Sequence, residues 1–218
     1  MVTPLVVLMA LPSETNTSWF ERTILSLDHH NYDYVVMPST PKQSNVVGAN
    51  ASETIRAMHL NLRHPNEGQR GCWVSHLRAW SYQQMLQRPI LSLEADTYAT
   101  GPWDRVASSV WKEYDILFAH SHTARHTSCK KETIQHGMNA RYGAGAMLFT
   151  GRTPLFDVIH MIDTDLPIDH WLNMVTDKKL LRVATLCPSL FHQADDKPSM
   201  IGEKSKSTWS RLRFLLHN

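Results

Sequence analysis

The sequence is short of several things, and each shortage excludes something. Three cysteines in 218 residues, Cys72, Cys129 and Cys187, are an odd number with no short metal-type spacing. That argues against both a disulfide framework and a zinc site, and a reducing, cytoplasmic setting fits best. No apolar run is long enough to span a bilayer, and the run at residues 5–11 lacks a basic segment before it. It reads as a buried strand rather than a signal peptide, and no integral membrane span is expected. The formal net charge of +2 is too small for a nucleic-acid footprint. After the first apolar run there is no Gly-x-Gly-x-x-Gly, so a dinucleotide-binding domain is not supported. With no internal repeat, low-complexity tract or linker, residues 1–218 read as one α/β domain.

What is present has the rhythm of alternating strands and helices. The run at residues 5–11 suits a strand buried on both faces. Thr15 to Thr17 offer helix caps, Trp19, Phe20, Ile24 and Leu27 recur at helical spacing, and residues 34–37 form a second strand. Residues 41–50 read as a loop and residues 53–62 as a helix. Residues 71–86 are helical, and the strand at residues 90–93 delivers Glu94-Ala95-Asp96 at its end. Residues 115–119 and 143–150 read as strands, residues 120–139 as an irregular His-rich active-site loop, and residues 153–162 as a helix. The segment 167–175 opens with a turn, and residues 181–186 make a late strand. A basic amphipathic tail, residues 204–218, reads as a surface helix, the other option being a membrane or polypeptide contact.

The acidic pair carries the first chemical expectation. Ligand crevices of open α/β sheets lie at the carboxyl ends of the strands. An extended chain would point Glu94 and Asp96 to the same side. Hard divalent ions such as Mn²⁺ or Mg²⁺ take such oxygens and neutralise a leaving diphosphate. The plain alternative is a solvated acidic turn.

The stretch Gly68-Gln69-Arg70-Gly71-Cys72-Trp73-Val74-Ser75-His76-Leu77, followed by Ile90-Leu91-Ser92-Leu93-Glu94-Ala95-Asp96, resembles the core signature of glycosyltransferase family 25, which includes lipooligosaccharide and collagen galactosyltransferases. Weaker likenesses lie in Gly143 to Thr150, in Pro167-Ile168-Asp169-His170 and in Cys187 to Gln193 with Ser199, so that the resemblance spans roughly residues 68–200. Ala95 stands where the family has an acidic residue.

The resemblance implies a GT-A (Rossmann-like) domain, α/β with a mixed, mostly parallel sheet flanked by helices. It would transfer sugar from a UDP-sugar to a carbohydrate or glycoprotein hydroxyl, with inversion, using Mn²⁺ or Mg²⁺. Asp96 is the foremost candidate for the metal, with Glu94 holding it or the ribose and His192 completing the site; a structural histidine is the alternative for His192. Asp169 is the candidate general base, or simply a helix N-terminal aspartate. Leu11, Ser13 and Thr15 would lie beside the nucleotide, with Arg70, Ser75 and Gly145 as further donor contacts. Arg70, Arg125, Lys130, Lys131 and Arg141 are candidates for the diphosphate, the alternative for most of them being a solvated side chain. Ser75 and His76, adjacent on a helix, cannot act on each other. His122 and His126 suit a solvated loop better than a metal. Among Trp73, Trp80, Trp103 and Trp171, only Trp171 is expected on the acceptor side. Two rival functions remain: a metal-dependent phosphotransfer or hydrolytic enzyme using Glu94, Asp96 and Asp169, and a non-catalytic nucleotide-sugar-binding module.

Overall fold

A computed structural model describes residues 3–11, 13–39, 67–106, 112–120, 133–136, 145–158, 161, 166–187 and 189–194. The first strand, β1 (Leu5–Ala10), has all six residues buried, as a strand covered on both faces requires. Helix α1 (Ser18–His29) starts where Thr17 accepts a hydrogen bond from the Phe20 amide at 3.4 Å, and Glu21 adds a carboxylate to its first turn. It stops at Asn31, whose φ of 56° leaves the helical region, and β2 (Tyr34–Pro38) follows.

Helix α2 (Glu67–Leu86) is ended by Gln87, with a φ of 50°, ahead of Pro89, and leads into β3 (Ile90–Glu94). Then come β4 (Thr97–Ala99), a 3₁₀ turn (Trp103–Arg105), β5 (Ile116–Phe118) and β6 (Thr133–His136). The order closes with β7 (Ala146–Phe149), α3 (Leu155–Val158), α4 (Ile168–Asp177), β8 (Val183–Cys187) and β9 (Phe191–Gln193).

Seven strands make the main sheet in the order β2-β1-β3-β7-β5-β8-β6, while β4 and β9 pair separately. Strands β2, β1, β3, β5 and β8 run one way, and β7 and β6 run against them. This is the α/β architecture with a mixed, mostly parallel sheet that the sequence led us to expect. One difference lies in residues 120–139, read as irregular: Thr133–His136 form a strand against β8. Its pairing partner lies about fifty residues downstream, and polar sequence carries no local signal of such an edge strand.

Alternation along the strands divides the core in two. On one face Val6, Leu8, Leu91, Leu93 and Leu148 pack with Leu27 of α1 and Phe191 of β9. On the other, Phe118, Met147 and Phe149 meet Trp73, Leu77 and Trp80 of α2 and Trp171, Leu172 and Val175 of α4. Each fully buried side chain of this size contributes about 1.5–3 kcal/mol. Among the described residues no helix is long and apolar enough to cross a membrane. The loop at 41–50, the helix at 53–62, Cys129 and the basic tail lie outside the described residues.

Candidate active site

The neighbouring parallel strands β1 and β3, in register with Met9 opposite Glu94, open their carboxyl ends on one side of the sheet. The chain leaves β3 at Glu94, turns through Ala95 and Asp96, and re-enters β4 at Thr97. The turn is pinned from two directions. The Glu94 amide donates to the Gly145 carbonyl at 2.9 Å, and the Thr23 hydroxyl of α1 donates to the Ala95 carbonyl at 2.9 Å. Gly145 has a steric reason to lack a side chain: a Cβ there would lie 2.9 Å from Thr97 Oγ1 and 3.2 Å from His120 Cδ2.

Because the turn begins at Ala95, the two carboxylates do not share the extended geometry expected of them. Asp96 is 1% exposed; its Oδ2 accepts from the Gln193 amide at 2.9 Å, and its carbonyl accepts from the Ala194 amide at 2.8 Å. Glu94, one-third exposed, faces the other way, with Oε1 4.0 Å from His76 Nε2. The Asp96 side also holds histidines. His120, fully buried, has Nδ1 2.9 Å from the Phe191 carbonyl; a carbonyl only accepts, so Nδ1 carries the proton. Its ring centroid is 6.5 Å from that of His192, which lies 6.3 Å from Tyr98 across the β4–β9 pair. The Arg22 guanidinium sits 5.7 Å from the Tyr98 ring centre.

On the Glu94 side, adjacent residues of α2 diverge as helical geometry demands. Ser75 Oγ donates to the Gly71 carbonyl at 2.9 Å and lies 2.9 Å from Ser39 Oγ, at the end of β2. His76, 1% exposed, turns to Ser92 in the middle of β3, Nδ1 to Oγ 3.1 Å. Cys72, one helical turn before His76, is half-buried. Burial, the Glu94 carboxylate and the Asp169 carboxylate together push its thiol well up, so both carboxyl groups lie within electrostatic reach of Cys72. Asp169 stands in the first turn of α4, Oδ1 accepting from the His170 amide at 3.0 Å. Burial raises its carboxyl, against the opposing influences of His170 and the backbone amides.

The donor-loop residues follow β1. Ser13 and Thr15 are exposed, and the Leu11 amide donates to Glu14 Oε2 at 2.8 Å. Glu14, 6% exposed, braces this loop and escaped the sequence reading, since an acidic residue in a polar loop gives no sign of being buried. Gln193 stood in the sequence only within the weak likeness at Cys187 to Gln193, and His120 only at the start of the His-rich segment; no spacing relates either to Asp96, and the β4–β9 pairing brings Gln193 there. For Arg70 the helical backbone alone is described, and Arg125, Lys130, Lys131, Arg141, His122 and His126 lie outside the described residues.

Two expectations meet a different arrangement. Trp171 is 1% exposed, donates to the Met161 carbonyl at 2.8 Å and packs on Trp73, so it belongs to the core rather than to an acceptor surface. Trp73, Trp80 and Trp103 are buried likewise. Nor do Glu94, Asp96 and His192 gather into one ligand set for a hard cation: Glu94 faces α2, and Asp96 is held by Gln193. Among the described residues, the one group of three metal-type side chains with ligand atoms within 4.8 Å of one another is Cys72, His76 and Glu94. As placed, the expected triad does not fit Mn²⁺ or Mg²⁺, and no chemical step is derived through such an ion.

No family model and no curated protein matches the chain. Solved structures with partial likeness include a glycosyltransferase involved in the glycosylation of the major capsid of PBCV-1, at 12% identity and a TM-score of 0.45, covering 95% of this chain and 100% of that one. A197 from STIV, at 11% identity and a TM-score of 0.41, covers 92% and 99%. A nucleoside-diphosphate-sugar pyrophosphorylase from Vibrio cholerae RC9, at 9% and 0.39, covers 96% and 100%. Likeness this remote assigns neither activity nor substrate to the chain.

Proposed function

We propose that the chain is a GT-A type glycosyltransferase that moves a sugar from a UDP-sugar to a hydroxyl of a carbohydrate or glycoprotein acceptor, with inversion. The observation that carries this reading is the pinned acidic turn, Glu94 to Asp96, at the carboxyl end of β3 beside the loop from Leu11 to Thr17. Open α/β sheets bind nucleotides at that edge. Of the residues quoted from the sequence, His76 on α2 lies against Glu94, the Gly145 carbonyl accepts from the Glu94 amide, and Ser75 lies against Ser39 just after β2.

In this reading the loop at Leu11, Ser13 and Thr15 offers amides and hydroxyls to the nucleotide. Asp169 takes the proton of the acceptor hydroxyl as its oxygen attacks the anomeric carbon; the bond to the diphosphate breaks on the opposite face and UDP leaves. A carboxyl raised by burial is better matched to proton transfer near neutral pH than an exposed one. Asp96, locked by Gln193, orients the turn that faces the donor.

The test is calorimetry with a panel of nucleotide sugars, in Mn²⁺ and in chelator, on the parent protein, Asp96→Asn and Asp169→Asn, followed by transfer assays with the sugar that binds. We expect a UDP-sugar to bind. Asp169→Asn is expected to keep that affinity and lose about 10²–10⁴-fold in kcat. Absence of nucleotide-sugar binding overturns the proposal, as does a phosphate-releasing activity that needs no acceptor and is unaffected by Asp169→Asn.

A further inference from the structure

The Glu94 side of the turn carries a group of side chains to which the proposed function gives no chemical role. Cys72 and His76 are one helical turn apart on α2, so both side chains leave the same face, and that face meets the end of β3 where Glu94 stands. The hydrogen bonds around His76 point to one tautomer. Ser92 Oγ lies 3.2 Å from the Met147 carbonyl, to which it can only donate. Its single proton is thereby used, and at 3.1 Å it accepts from His76 Nδ1. His76 Nε2 therefore presents a lone pair. It is buried, makes no hydrogen bond, and lies 4.0 Å from Glu94 Oε1, which in the ionised carboxylate also only accepts.

We propose that Cys72 Sγ, His76 Nε2 and Glu94 Oε1 form a three-ligand site for a borderline-soft divalent cation of the zinc class. Two electron-pair donors facing each other across 4.0 Å, with the Cys72 sulfur within 4.8 Å of a ligand atom of each residue, leave room for an ion that accepts from all three. Zinc takes imidazole nitrogen at about 2.0–2.1 Å, carboxylate oxygen at about 2.0–2.2 Å and thiolate sulfur at about 2.3 Å. Tetrahedral angles then put ligand atoms roughly 3.3–3.7 Å apart, so side-chain shifts of under about 1 Å close the site. The Ser92 hydroxyl is the outer partner that holds a liganding histidine in one tautomer. The mixed sulfur, nitrogen and oxygen set discriminates against Mg²⁺ and Mn²⁺, which take oxygen. The half-buried thiol and the one-third-exposed carboxylate give the ion a way in from solvent and leave a fourth coordination position on that side. The sequence reading had set zinc aside because the cysteines lack paired spacing; here the ligands come from three residue types on two elements, a pattern cysteine spacing does not report.

Cobalt is the probe, since it takes zinc-type sites and reports its ligands optically. The full chain, stripped with chelator, is titrated with Co²⁺ and then with Zn²⁺, following absorbance and heat. We expect a thiolate-to-cobalt charge-transfer band, displaced by Zn²⁺, and binding at least 10-fold tighter than that of Mn²⁺. Cys72→Ala should abolish the band, and Glu94→Gln, at the exposed rim where folding is least at risk, should weaken binding at least 10-fold. Asp96→Asn should leave both unchanged. A Co²⁺ spectrum without the thiolate band, or one that persists in Cys72→Ala, overturns the proposal, as does equal Co²⁺ affinity in Glu94→Gln and the parent.

Discussion

His76 shows how much one side chain can commit. Burial holds its pKa at about 3, against about 6.5 in an unfolded chain, so the unfolded state binds the proton more readily. The stability tied to the neutral imidazole is fully present above about pH 6.5 and is lost as pH falls from there toward 3, at up to about 1.4 kcal/mol per pH unit. The groups facing the ring are the Glu94 carboxylate, the Cys72 thiol and the Ser92 hydroxyl. Urea unfolding of the metal-free protein between pH 7 and pH 4 should show this loss, and His76→Gln should flatten it; equal slopes in the two proteins would refute the assignment. At the same scale, the sequence marked Glu94, Asp96, Ser75 and Asp169 as chemistry-bearing, but not which neighbour each would meet. Glu94 and Asp96 part company because the strand ends at Glu94, and a two-residue turn reverses the side-chain alternation that an extended strand would have kept.

Among the elements, the central strands and helices α1 and α2 were legible because their signals are local, whereas the segment at 167–175, read only as opening with a turn, forms α4. A run of six buried apolar residues makes β1, and Thr17 with the periodic apolar residues behind it makes α1. Thr17→Ala should cost about 1 kcal/mol by removing the cap on the Phe20 amide, read as a lowered urea midpoint with unchanged slope. An unchanged midpoint would mean that the loop brace from Glu14, whose carbonyl also accepts from the Thr17 amide, suffices to start the helix. Strand β6 was hidden for the opposite reason: its residues are polar, and its existence depends on β8 offering an unpaired edge. The tryptophans illustrate the same limit. Amphipathic spacing puts Trp73 and Trp80 on one stripe, but only the packing of α4 over α2 buries Trp171 against Trp73 at 5.3 Å between ring centres.

For the molecule as a whole, the sheet sets a gradient of stability. Strands β1 and β3 are covered on both faces and flanked on both edges, whereas β2 and β6 are the outer strands. Hydrogen exchange should therefore find the slowest amides in β1, β3 and β7 and faster ones in β2, where Val35 and Val36 are exposed. Exchange as slow in β2 as in β1 would contradict this ordering. By itself the sequence determined an α/β chain, the order of its central elements and the acidic pair at the end of β3, because apolar periodicity, caps and chain breakers act over a few residues. Only the tertiary structure decided that Asp96 meets Gln193, that Cys72, His76 and Glu94 converge, and that Trp171 is core. These contacts join residues far apart in the chain, and what joins them is strand pairing and helix packing, which no local pattern encodes.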